Sequence, residues 1–196
     1  ALFSTDIRNH YYAEISCGVE EAARHAGYLT NIFTSDVTDG YLEKLMSHQF
    51  DGVIIQTTKI TIESLNMLVA RDIPIVCIGG SEILNGLDEH LTRLDIAIYD
   101  GAVSLFEYMI TMGHHHIGFI APHRLLGPTD RDTRLQAYLD TLHRHNIPYD
   151  PNIVHWDYSS TDDIYRITKN LVKSPNRPSA LFTGNDNNAL VVLSAL

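Results

Sequence analysis

Short, unbroken apolar runs separated by helix-length amphipathic stretches constrain this chain more than anything else in it. Gly52-Val53-Ile54-Ile55-Gln56 and Ile73-Pro74-Ile75-Val76-Cys77-Ile78 are rich in β-branched residues and carry no polar alternation. Runs of this kind suit strands covered on both faces, which is the situation of a parallel sheet. Residues 117–121 and the run Ser179-Ala180-Leu181-Phe182 repeat the pattern, and residues 1–5, 28–34 and, more weakly, 93–98 also read as strands. Between them, apolar residues recur at helical spacing. Tyr11, Ile15, Val19, Ala22, Ala23 and Ala26 form one stripe, with Gly27 as its stop. Further helices are expected over residues 41–48, 61–70, 101–112, 133–145 and 162–172, and from Ala189 to the end. Strands alternating with helices mean βαβ units and an α/β, doubly wound parallel architecture. A polar excursion and a weak strand interrupt the rhythm near residues 98–101, so two lobes are expected, 1–98 and 99–196, with a cleft between them.

The chain of 196 residues carries a formal charge of −10, with 44% hydrophobic and 19% charged residues. That balance is ordinary for a globular protein and argues against disorder. The acidic charge, with no Lys/Arg cluster to offset it, repels nucleic acid, so DNA contact would need a separate basic module. No apolar run reaches the ~18 residues of a membrane span. The first residues lack the basic start of a secretory signal. Cys17 and Cys77 stand alone in a helix and a strand pattern, which favours free thiols and a reducing compartment.

Polar residues cluster after the strands, where ligands bind in open α/β sheets. Asn9, Tyr11 and Tyr12 follow the first strand and combine an amide with two aromatic faces, although the tyrosines would equally anchor the helix to its core. Asp100 precedes Gly101 at an expected helix start, where a carboxylate meets the positive end of the dipole. Arg134 opens a helix against that dipole and therefore calls for a partner, structural or ligand. The turn Thr183-Gly184-Asn185-Asp186 supplies short polar side chains suited to a helix cap or a ligand. His114, His115 and His116 are consecutive in an extended segment, an arrangement that cannot turn three imidazoles to one metal ion. No nucleophile elbow, phosphate-cradling loop or zinc-protease motif occurs, so neither catalysis nor a cofactor is expected.

These segments together resemble the effector-binding core of the LacI/GalR family of transcriptional regulators. The resemblance runs from Tyr12-Ala13-Glu14-Ile15 and Gly18 to Tyr28, through Phe50-Asp51-Gly52-Val53-Ile54-Ile55 and Ile73-Pro74-Ile75-Val76. It continues through Met112-Gly113-His114 and His116-Ile117-Gly118-Phe119 to Arg177-Pro178-Ser179-Ala180-Leu181-Phe182 with Asn185-Asp186. It implies a two-lobed periplasmic-binding-protein-like fold and a cytoplasmic homodimer. It also implies a small effector in the cleft, a sugar, nucleoside or polyol, and operator DNA held by a helix-turn-helix headpiece that would precede Ala1. The family's last strands and helices would follow Leu196. Ligand contacts carry over to Asn9, Tyr11, Tyr12, Asp100, Arg134, Tyr158, Asn185 and Asp186. An exported sugar-binding protein of the same architecture is the alternative. Three positions depart from the family pattern: Ala137 replaces a glycine, Gly79-Gly80 stands where sugar-binding members place an Asp, and Ala97-Ile98 replaces an Asp-Asn pair.

Overall fold

A computed structural model describes residues 1–34, 50–56, 60–79, 89–121, 133–156, 158 and 160–196. The chain divides into two compact units, Ala1–Ile96 and Ala97–Leu196. The N-terminal unit contains β1 (Leu2–Ser4), α1 (His10–His25), β2 (Ile32–Phe33), β3 (Val53–Gln56), α2 (Ile62–Val69), β4 (Ile75–Ile78) and β5 (Thr92–Leu94). The C-terminal unit contains α3 (Ile98–Thr111), β6 (Ile117–Ile120), α4 (Thr133–Arg144), a 3-10 turn (Pro151–Ile153), β7 (Val154–His155), α5 (Thr161–Lys173), β8 (Ala180–Thr183) and α6 (Asp186–Ala195). The helix expected over residues 41–48 lies outside the described residues.

Both sheets are parallel throughout. The first has the order β2-β1-β3-β4-β5 and the second β7-β6-β8. In each, the chain leaves the first strand in one direction and later returns to pair on its other side. That reversal creates a switch point between β1 and β3 and another between β6 and β8. The apolar runs account for the cores. Phe3, Val53, Ile55, Ile75 and Cys77 pack with Leu65 and Leu68 of α2 in one unit. Phe106, Phe119, Tyr138 and Phe182 form an aromatic centre in the other, with Phe119 and Phe182 stacked at 5.2 Å and 15°. The buried Tyr138 hydroxyl donates to the Ile117 carbonyl at 2.8 Å, satisfying its one polar atom.

A helix end and a close strand contact explain two of the signature glycines. Gly113, at φ 90°, follows the last turn of α3, where its N–H reaches Ile110 O at 2.8 Å and the His114 N–H reaches Met109 O at 3.0 Å. This paired closure needs a left-handed residue, which glycine adopts without a Cβ penalty. Gly118, in β6, faces Leu181 of β8, leaving no room for a side chain between them.

Several elements differ from their sequence expectation. The strand expected over 28–34 shrinks to Ile32–Phe33, because the Tyr28 N–H closes α1 onto Ala23 O at 2.9 Å. The weak strand ends at Leu94, and α3 begins at Ile98 rather than Gly101, since the Gly101 N–H already bonds Ala97 O at 3.0 Å. The unit boundary accordingly falls after Ile96 rather than Ile98. α6 begins at Asp186, three residues before Ala189. The two-residue β7, pairing Phe119↔Val154 and Ile120↔His155, is too short to announce itself by periodicity.

Candidate functional site

In the C-terminal unit the carboxyl ends of β6 and β8 meet where the Gly184 N–H donates to Ile120 O at 2.9 Å. The chain turns there into α6. Asn185 is the N-cap of that helix, its Oδ1 accepting the Asn188 N–H at 2.8 Å, and Asp186 Oδ1 accepts the Asn187 N–H at 3.0 Å. Asn188 is buried and its side-chain amide donates to the hydroxyl of half-buried Tyr158. Thr183 Oγ1 donates to Asn185 O at 3.2 Å. The result is one connected polar turn in which Asn185 and Asp186 stay exposed at the edge of the sheet. Three of the expected residues, Tyr158, Asn185 and Asp186, are thus brought together, and Asn188 joins them.

The N-terminal unit repeats the arrangement at β1 and β3. Ser4 and Gln56 are register partners at the carboxyl ends of their strands, both 2% exposed, and Ser4 Oγ donates to Gln56 Oε1 at 3.4 Å. Thr5 Oγ1 donates to Gln56 O at 3.3 Å. After this edge, Asn9 caps α1, its Oδ1 accepting the Tyr11 N–H at 2.9 Å. The Tyr11 and Tyr12 rings meet edge to face, 5.1 Å apart at 75°. Tyr11 is exposed and Tyr12 half-buried, so the pair offers an aromatic surface rather than only a core anchor.

Asp100 and Arg134 stand on the first turns of α3 and α4. Asp100 is not the residue before the helix but its third, exposed to solvent, while Ala97 takes the cap position without a side-chain bond. Arg134 is half-buried. The two helices are clamped side by side. Tyr99 donates to Asp140 Oδ2 at 2.8 Å, and Glu107 takes Arg144 at 2.7 Å on one oxygen and His145 on the other.

The histidine run points elsewhere. His114 Nδ1 lies 3.1 Å from Ser179 Oγ, and His116 lies 3.5 Å from Asp150 across the amino end of the sheet. Asp150 sits below the usual carboxylate range because it accepts the backbone and side-chain N–H groups of Asn152, with His116 adding to the effect. Burial lowers the His155 imidazole and raises the Cys77 thiol to about 11. Among the described residues, no group of three His, Cys, Asp or Glu is placed to hold a metal ion, and no helix is long and apolar enough to cross a membrane.

The sequence reading did not pick out Gln56 or Asn188. Both are buried amides near a switch point, Gln56 at the end of β3 and Asn188 in the first turn of α6, and only those places could have marked them.

Residues 106–196 match the periplasmic binding protein-like domain family. The chain is 26% identical over 190 residues to the HTH-type transcriptional repressor PurR of Actinobacillus pleuropneumoniae, covering 95% of this chain and 55% of that protein. It is 28% identical over 193 residues to catabolite control protein A of Priestia megaterium, covering 96% and 56%. The chain therefore spans about half the length of these curated relatives. Among solved structures, it resembles a LacI family regulator of Enterococcus faecium with bound ribose, with a TM-score of 0.84, 21% identity and coverage of 100% and 70%. It also resembles one of Lactobacillus casei with bound glucose, with a TM-score of 0.79, 22% identity and coverage of 100% and 73%. In sequence the chain is thus similar to transcriptional regulators, and its fold is the periplasmic-binding-protein-like one found in solved LacI family regulators.

Proposed function

We propose that this chain is the effector-sensing part of a transcriptional repressor that binds a small, neutral, hydroxyl-rich molecule: a sugar, nucleoside or polyol. The observation that carries the reading is the connected turn of Tyr158, Asn185, Asp186 and Asn188 at the β6/β8 switch point, the place where open parallel sheets receive ligands. Asn9, Tyr11 and Tyr12 at the corresponding edge of the N-terminal unit supply an amide and ring faces of the kind such a molecule takes. Asp100 and Arg134 add a carboxylate and a guanidinium that read hydroxyls by charge-assisted hydrogen bonds. The repressor relatives support this assignment over a transport role.

The chain's own charge of −10 makes it a poor DNA ligand. Operator binding therefore belongs to a helix-turn-helix headpiece outside this chain, in a cytoplasmic homodimer. An effector that binds one conformation of the repressor better than another shifts the balance between them, and regulation has the size of that difference. No catalytic step and no cofactor are involved.

Thermal melting across pentoses, hexoses, polyols and nucleosides tests the reading. A ligand at 100 times its Kd stabilises the folded state by about 2.7 kcal/mol. One class should raise the melting temperature, and Arg134→Ala should abolish the rise. No shift with any class refutes effector sensing, and an unaltered shift in Arg134→Ala removes that residue from the site.

A further inference from the structure

A cleft opens on the C-terminal unit at the amino end of its sheet, away from the β6/β8 switch point. It holds about 480 Å³ between the 3-10 turn, β7 and the last turn of α5. Its floor is apolar: Ile153 and Leu171 are buried and Ile167 is half-buried. Its rim consists of neutral hydrogen-bonding groups, Asn152, His155, Asn170, Ser174 and Asn176. Among the described residues, no Lys, Arg, Asp or Glu lines it.

The rim is biased toward accepting hydrogen bonds. Burial lowers the half-buried His155 imidazole, so the ring is neutral at pH 7. Its hydrogen bond to the Asn152 backbone favours the protonated form, so the ring donates there and its other nitrogen is a bare acceptor. Asn152 Nδ2 donates to Asp150 at 2.8 Å and Asn176 Nδ2 at 3.2 Å, while their Oδ1 atoms accept nothing among the described residues. Asp150 therefore stands behind both amides as a carboxylate, held below the usual range. The last turn of α5 adds the negative end of a helix dipole. Lys169 of the same helix lies over the Tyr165 ring, 5.6 Å from its centre.

We propose that this cleft is a ligand site for a small organic ammonium, with its apolar body on Ile153, Ile167 and Leu171 and its cationic head among His155, Asn152 and Asn176. The site is independent of the effector reading and lies at the opposite end of the sheet from the switch-point turn. An ammonium head has three donors and no acceptor, which is the complement of such a rim. A bare metal ion would leave the apolar floor unused and would want carboxylates that the lining lacks. An anion would meet lone pairs, a helix C-terminus and Asp150. The chain's charge of −10 adds a long-range attraction for cations.

Amide chemical-shift titration of the chain with 2-phenylethylammonium decides the matter, with 2-phenylethanol as the probe that exchanges the charge for a hydroxyl. The ammonium should shift the amides of residues 152–155 and 167–176, and the alcohol should bind at least several-fold more weakly. Asn170 is exposed, so its variants should fold as wild type does. Asn170→Lys should weaken the ammonium on the order of tenfold, and Asn170→Asp should strengthen it several-fold. His155→Leu should weaken it as well, and the Asn170 pair keeps the proposal testable should that variant fold poorly. Equal affinity for the alcohol overturns the proposal, and so does an affinity that neither Asn170 variant changes. Shifts confined to residues 183–188, or no shift at all, overturn it too.

Discussion

Replacing Gly118 with alanine places a Cβ between two strands that have closed over it. That atom would lie 2.5 Å from Leu181 Cδ2, 3.1 Å from Pro178 Cγ and 3.4 Å from Ile153 O. Carbon atoms rest at about 3.5–4.0 Å, so the overlap with the leucine methyl is about 1 Å. The methyl can swing away, but the proline ring and the carbonyl cannot retreat as easily. Overpacking of this kind costs about 1–3 kcal/mol, and the lower entropy of an unfolded alanine returns about 0.4–1. A net loss of about 1–2 kcal/mol is expected. For a unit of this size that lowers the melting temperature by roughly 5–15 °C. Trp156, the chain's single tryptophan, packs half-buried on the core of the C-terminal unit, so its fluorescence follows the unit that is perturbed. Repeating the substitution in a Leu181→Ala background removes the nearest clash, and the cost of Gly118→Ala should fall by at least about 0.5 kcal/mol. A cost within about 0.5 kcal/mol of zero, or one identical in both backgrounds, refutes the close approach as the reason for this glycine.

Three further outcomes follow from the geometry. Asn188→Ala removes the donor to Tyr158 from a buried position and should destabilise the C-terminal unit by about 1–2 kcal/mol, read by urea unfolding of Trp156 fluorescence. The same variant should weaken effector binding by loosening Tyr158, and unchanged affinity would show that the turn is structural alone. Cys17 is exposed whereas the Cys77 thiol is buried and raised to about 11, so a thiol reagent at pH 8 should modify one cysteine rapidly and the second only on unfolding; two fast thiols would contradict the burial. The His155 imidazole is lowered by burial, so the unfolded chain takes up its proton first as pH falls below the ordinary 6.5. Stability of the C-terminal unit should therefore be full above that value and decline below it, and His155→Gln should flatten the decline.

Much of the architecture was legible because parallel strands buried on both faces cannot hide their composition. Val53-Ile54-Ile55 and Ile75-Val76-Cys77-Ile78 are strands in any register, and the stripes between them admit only helices. Short and capped elements were less readable. The β7 pair depends on its neighbour β6, not on its own two residues, and the start of α3 at Ile98 is hidden by Ala97, a cap without a side-chain signal. For the site, Asn185 announced itself through its cap chemistry. Gln56 and Asn188 did not, because a lone amide in a sequence looks the same whether it faces solvent or is sealed at a strand end or in a helix's first turn. The histidine run is the converse case: three adjacent imidazoles attract notice, yet His114 and His116 bond Ser179 and Asp150 at the edge away from the switch points.

The central claim is that a small molecule binds at the polar turn of the β6/β8 switch point. Hydrogen exchange of the chain with and without the ligand found by melting tests it most directly. The account predicts slowed exchange at residues 183–188 when the ligand is present. Unchanged exchange at that turn would contradict it.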